Sequence, residues 1–250
     1  MRKKFSVFLA SIIIIHFLFI FATTKSIDAN TPASDITSSA IVTSANTEPV
    51  KNHVALYDSL HLGELGLSQK AFDYAIEGFN YLLATGKLNN DKILSIVDFS
   101  APSSKKRLFV IDLQNGKLIY NTYVAHGRNS GREMAETFSN EPESFKSSLG
   151  FYITGNTYTG KHGFSLRLNG EEKGINDNAN SRAIVMHSAA YVSESAIKMQ
   201  GFIGRSLGCP ALPEKVYKPI IEEIKNGTCL FLYSPDKYYA SHSDILKKIA

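Results

Sequence analysis

The spacing of apolar positions changes along the chain, and each change marks a different kind of segment. Residues 5–22 are apolar almost throughout, with Ser11 and His16 among the few polar positions, and they follow Arg2, Lys3 and Lys4. A basic start ahead of such a run predicts an export signal. The run is also long enough for an uncleaved membrane anchor, for which about 20 apolar residues suffice. The small residue Ala29, with Ile27 before it, marks a cleavage site ahead of Asn30. Residues 30–52 then consist largely of Thr, Ser, Ala and Asn. So little apolar surface cannot fill a core, which predicts a flexible tether.

Phe72, Ala75, Ile76, Phe79 and Leu82 or Leu83 recur at helical spacing, with Ser68 as N-cap and Gly86 as stop. A shorter helix is expected over residues 56–65, broken by Gly63 and Gly66, so that residues 53–90 form a small helical preface. After Asn90 the texture changes. Residues 93–99 and 107–113 read as strands, and Asn115-Gly116 is a hairpin signal ahead of another strand at 118–125. Further strands are expected at 150–154, 164–168, 183–187 and 228–233, with one helix over 214–225. Residues 91–250 are therefore a mainly β body, and the polar stretch 126–148, with Gly127, Gly131 and Pro142, reads as a loop over a cleft.

Composition adds a boundary rather than a function. The 250 residues are 44% hydrophobic and 20% charged, an ordinary globular balance. The net charge of +4 is carried mostly by Arg2, Lys3, Lys4 and Lys25 against Asp28, inside the leader. No concentrated basic stripe remains to release counterions from a polyanion, which argues against nucleic acid as partner. Partners are expected outside the cytoplasm, in a periplasm or cell envelope. The compartment is oxidising, so Cys209 and Cys229 are also candidates for a disulfide.

Candidate chemistry lies near the end of the strand at 183–187, which delivers His187, and in the turn Gly204-Arg205-Ser206-Leu207-Gly208-Cys209-Pro210. Gly208 lets a substrate approach the backbone and permits unusual φ/ψ, while Pro210 fixes the chain beyond the thiol. A free thiol titrates near pH 8.5, so a neighbouring imidazole is the natural means of activating it. His187 followed by Cys209 is by itself more often the pattern of a satisfied histidine and a small buried cysteine.

The wider string tips that balance. His187-Ser188 followed by Ser206-Leu207-Gly208-Cys209 resembles the L,D-transpeptidase (YkuD) signature of His, Gly or Ser, a spacer, then Ser/Thr-x-Gly-Cys. The resemblance is to the murein L,D-transpeptidase catalytic-domain branch. It extends through Ser147-Ser148-Leu149-Gly150, Gly160-Lys161-His162-Gly163, Ser165-Leu166-Arg167-Leu168-Asn169-Gly170 and Arg205-Ser206. Leu207 stands where His is usual, Pro210-Ala211 replaces a hydrophobic-Arg/Asn pair, and the spacer is longer than the common form.

The resemblance implies an L,D-transpeptidase-like β-sandwich or barrel that cuts a peptidoglycan stem peptide after the L-centre of its third residue. D-Ala leaves and the acyl group passes to an amine. Cys209 is then the nucleophile, His187 the base, and the Ser188 carbonyl the group that orients the imidazole. Gly208 and Cys209 N–H groups are expected to hold the oxyanion, and neither metal nor cofactor is required. Arg205, Ser206 and His162 are the expected substrate contacts, Arg205 by a bidentate grip on a carboxylate. His126 is weighed as a further cleft residue against an ordinary loop position.

Other classes remain open on the sequence. Hydrolysis of the same bond, an L,D-carboxypeptidase activity, would share the acyl-enzyme. A noncatalytic wall-binding protein stapled by Cys209 and Cys229 is a third reading. A sortase-like enzyme would need a Thr-Leu-x-Thr-Cys string, which is absent. Ser195-Ala196-Ile197-Lys198 matches the Ser-x-x-Lys of penicillin-binding acyltransferases, but the companion Lys-Thr/Ser-Gly is missing.

Overall fold

The computed structural model describes residues 53–249. The expected export signal or anchor and the tether lie outside the described residues. Among the described residues no helix is long and apolar enough to cross a membrane.

Short apolar runs between turn signals become strands β1 (Ile93–Asp98), β2 (Leu108–Asp112), β3 (Lys117–Thr122), β4 (Gly150–Gly160), β5 (Gly163–Gly170), β6 (Val185–Ser188), β7 (Ala211–Leu212) and β8 (Cys229–Tyr233). They form one mixed sheet in the order β3-β2-β1-β8-β4-β5-β6-β7. Beyond β3 the chain meets β7 again, Ala125 pairing with Ala211, so the ends of the sheet come together and the sheet nearly closes into a barrel. The mainly β expectation therefore holds, in its barrel form. Asn115-Gly116 does sit between β2 and β3, which are antiparallel.

Helices α1 (His53–Ser59) and α2 (Gln69–Ala84) form the preface, followed by α3 (Glu194–Gln200), α4 (Tyr217–Ile224), α5 (Lys237–His242) and α6 (Asp244–Ile249). The Ser68 hydroxyl caps α2 by accepting from Ala71 N–H at 3.4 Å. The expected helix over 56–65 begins earlier and stops at Ser59, because His61 takes a left-handed φ of 52°. The Tyr57 hydroxyl then donates to the Leu67 carbonyl at 2.5 Å, folding the intervening turns back on α1.

The buried face of α2, with Phe72, Ile76 and Phe79, shares one core with Leu94, Phe109, Phe151 and Phe231 of the sheet. Burying such side chains contributes roughly 1.5–3 kcal/mol each, which outweighs the cost of about 1 kcal/mol for a glycine within the helix. That glycine, Gly78, is required by approach: a Cβ there would lie 2.0 Å from the Phe151 ring. The preface thus packs directly on the sheet that carries the candidate site.

Cys229 lies in β8, paired with Leu94 on one side and Ile153 on the other, and is fully buried. Both cysteines are free. Between β8 and β6 lie β4 and β5, a lateral separation of about 14 Å at the usual strand spacing, well beyond the roughly 7 Å that a disulfide spans. The expected Cys209–Cys229 staple is corrected: both thiols are free and lie apart in the sheet.

Candidate active site

Val185, Met186 and His187 of β6 are buried, and the parallel partner β7 sets His187 opposite Ala211 and Ser188 opposite Leu212. That register carries the turn leading into β7 alongside the start of β6. The Cys209 sulfur accordingly meets the backbone of residues 183–185. Val185 N–H donates to it at 3.5 Å, and the thiol donates to the Ala183 carbonyl at 3.7 Å. Ala183 holds a left-handed φ of 53°, a conformation that costs an L-residue about 1–2 kcal/mol.

Ser206 closes the turn. Its hydroxyl donates to the Cys209 carbonyl at 2.6 Å and accepts Gly208 N–H at 3.0 Å. Its backbone is clamped in turn, with Ser206 N–H donating to the His126 carbonyl at 2.9 Å and Arg128 N–H donating to the Ser206 carbonyl at 2.8 Å. With its hydroxyl engaged on both sides and little surface exposed, Ser206 braces the turn. Gly208 has φ +122°, and a Cβ there would stand 2.8 Å from the Lys146 carbonyl oxygen and 2.9 Å from Ile184 Cδ1. Gly208 N–H is already bonded to the Ser206 hydroxyl.

His187 bonds the Ser188 carbonyl through Nδ1 at 2.8 Å. A carbonyl only accepts, so Nδ1 carries the proton and Nε2 is the basic nitrogen of the neutral ring. His162, exposed between β4 and β5, stacks on His187 with centroids 4.5 Å apart and planes at 26°. Burial lowers the His187 pKa, the Ser188 bond opposes that, and the His162 ring adds to it. Burial of the sulfur raises the Cys209 pKa against the pull of Val185 N–H and the Arg182 charge. Both shifts favour the neutral forms of the thiol and the imidazole. Among the described residues the thiol's hydrogen-bond partners do not include His187.

Arg182 escaped the sequence reading. Its guanidinium donates to the Ser139 carbonyl (2.8 Å), Ser148 Oγ (2.5 Å), Ser144 Oγ (3.2 Å) and the Lys146 carbonyl (2.8 Å). Ser147 Oγ donates to the Gly208 carbonyl at 3.2 Å. The polar stretch after His126 is thus strapped to the turn that carries Cys209. Arg205 reaches the opposite way, its Nη1 donating to the Arg128 and Gly131 carbonyls at 3.2 and 3.1 Å.

His126 is a loop position, as weighed, but a fully buried one. Arg107, itself fully buried, lies 2.7 Å from its Nδ1, and Nε2 lies 3.3 Å from the Gly131 carbonyl. The guanidinium only donates, so Nδ1 accepts and Nε2 carries the proton. Burial, with Arg107 beside the ring, pushes the His126 pKa down to about 3. Burial also lowers Arg107, to about 9. No group of three or more His, Cys, Asp or Glu side chains is placed to hold a metal among the described residues.

A family model described as the L,D-transpeptidase catalytic domain matches residues 64–233, more than half of the chain. Similar solved structures include an L,D-transpeptidase from Mycobacterium smegmatis, 12% identical over 57% of this chain and 59% of that one, with a TM-score of 0.35. Another is an L,D-transpeptidase from Stackebrandtia nassauensis, 14% identical over 68% of this chain and 69% of that one, also at 0.35. L,D-transpeptidase 3 from Mycobacterium tuberculosis is 12% identical over 57% and 61%, at 0.34. The chain thus spans 59% of the first of these structures. No curated protein matches the sequence.

Proposed function

Because the chain belongs to the L,D-transpeptidase catalytic-domain family, we propose that it is an exported cysteine acyltransferase that cuts and rejoins peptidoglycan stem peptides in the cell envelope. The observation that carries this reading is the Nδ1–Ser188 bond of 2.8 Å, which leaves the other imidazole nitrogen free to take a proton. The turn register brings Cys209 beside the same strand.

As the Cys209 sulfur attacks the carbonyl of the third stem residue, His187 Nε2 takes the thiol proton. Cys209 N–H stabilises the oxyanion, a contact of the kind whose loss costs roughly 3 kcal/mol in acyl transfer. On collapse the bond to D-Ala breaks, and His187 returns the proton to the leaving amine. A thioester remains on Cys209. An acceptor amine then attacks it, loses a proton to His187, and regenerates the thiol as that proton passes to sulfur. The reaction needs no oxidant or metal. The neutral resting pair fits a base that acts when the substrate arrives.

Incubation of the purified protein with disaccharide tetrapeptide, followed by mass analysis, tests the reading. A crosslinked dimer is expected, together with loss of all product in Cys209→Ser. Tripeptide alone would reassign the enzyme as an L,D-carboxypeptidase. An unchanged substrate beside an intact Cys209 thiol would overturn the catalytic reading.

A further inference from the structure

Three guanidinium groups converge on one cleft beside the catalytic turn. Arg128, Arg132 and Arg205 line a cavity of about 520 Å³ together with Gln200, Phe202 and Gly204, and no carboxylate lies in its wall. Each cation is braced. Arg128 sits 4.3 Å over the Phe145 ring and Arg132 5.0 Å over Phe202, while Arg205 is held by the Arg128 and Gly131 carbonyls. Among the described residues none of the three forms an ion pair, although lysines elsewhere do. Like charges gathered without a counter-charge repel one another, so the cluster has unsatisfied affinity for an anion. Bracing the flat forks on ring faces and carbonyls lowers the entropy lost when a carboxylate is gripped by two parallel bonds.

We propose that this cleft is an anion subsite that takes carboxylates of the stem peptide while the scissile carbonyl lies at Cys209. The proposal rests on the function inferred above and adds two arginines that the sequence motif does not contain. Arg205 leads directly into the Ser206–Cys209 turn, and Arg128 N–H bonds the Ser206 carbonyl at 2.8 Å. A ligand held in the cleft is therefore registered against the same backbone that aims the sulfur. Arg128 and Arg132 add two further cations to the same cavity wall. That arrangement suits a peptide with more than one acidic group better than a single small anion.

Equilibrium binding is measured in the full chain carrying Cys209→Ser, with disaccharide tetrapeptide and with the same molecule amidated on its carboxylates. The free acid is expected to bind at least about tenfold more tightly, as one good charge-assisted contact allows. The difference should shrink with added salt and disappear in an Arg128→Gln/Arg132→Gln double variant whose Tm matches the parent. Equal affinity for the two peptides, or a double variant that binds the free acid as the parent does, overturns the subsite. A glycerol-phosphate oligomer is the second probe. If it binds through these arginines and the tetrapeptide does not, the stem-peptide assignment falls. Turnover by the unmodified protein separates the two levels. Turnover that ignores both arginines sinks the subsite and leaves the acyltransferase reading standing, whereas neither turnover nor binding sinks both.

Discussion

The hydroxyl of Ser206 donates to the carbonyl of Cys209 across 2.6 Å and accepts the N–H of Gly208 at 3.0 Å. One buried side chain therefore fixes the backbone at both Gly208 and Cys209. Ser206→Ala leaves a buried donor and a buried acceptor unmatched, each costing about 1–3 kcal/mol. Denaturant titration should show a loss of that order, and turnover should fall further than Tm suggests because the sulfur loses its aim. Ser206→Thr keeps the hydroxyl and should recover most of both. An alanine variant with parental stability and turnover would show that the turn holds itself.

Gly208 makes a separate prediction, since its φ is +122° and an added Cβ would stand 2.8 Å from the Lys146 carbonyl oxygen and 2.9 Å from Ile184 Cδ1. Gly208→Ala must move the turn or the strap beneath it. Backbone strain of this kind costs about 1–3 kcal/mol. The expected readouts are a lower unfolding midpoint and a drop in turnover of at least about tenfold, the equivalent of 1.4 kcal/mol in the barrier. Crowding the attack geometry should reduce kcat more than it raises KM.

The buried imidazole of His126 makes stability fall in acid. Its pKa is lowered from the ordinary 6.5 to about 3 by burial and by Arg107. Above 6.5 both the folded and the unfolded chain carry a neutral ring, and the contribution is complete. As pH falls below that value only the unfolded chain gains a proton, so stability declines by about 1.4 kcal/mol per pH unit. The decline ends near pH 3, where the folded ring titrates too. Glu172, whose pKa burial raises, acts in the opposite sense. The measurement is therefore the difference between the parent and His126→Gln across pH 3 to 7, and parallel stability curves would refute the assignment.

The site was legible where its chemistry is local. Ser68 capping a helix, Asn115-Gly116 turning a hairpin and Gly208 opening a turn each express a backbone preference readable from a few neighbouring residues. His187 and Cys209 were readable as a string, and the Ser188 carbonyl does lie on Nδ1. The residues that support them were not. Arg182 bonds Ser139 across 43 positions, and Arg107 reaches His126 across 19. A buried arginine is defined by what surrounds it, and neither has a local pattern that differs from a surface arginine. The short helices α5 and α6 were missed for a related reason. Each has 6 residues, too few for a helical period to emerge, and they are held by tertiary contacts, including Tyr239 and Ser243 on buried Glu172.

Arg182 carries the last prediction because two separable effects meet in it. Its charge opposes the burial that raises the Cys209 pKa, and its four hydrogen bonds tie residues 139–148 beneath Gly208. Alkylation of Cys209 as a function of pH reports the first effect and needs no substrate, since only the thiolate reacts. Arg182→Met removes both effects, so the alkylation midpoint should move to higher pH and the melting temperature should fall. Arg182→Lys keeps a charge but cannot reproduce the forked contacts. It should therefore return the midpoint toward the parent while leaving most of the stability loss. Cys229 supplies the internal control: fully buried in β8, it should resist the reagent until the chain unfolds. If Arg182→Met alkylates with the parental profile at a temperature where it remains folded, Arg182 has no electrostatic hold on the Cys209 thiol and serves the strap alone.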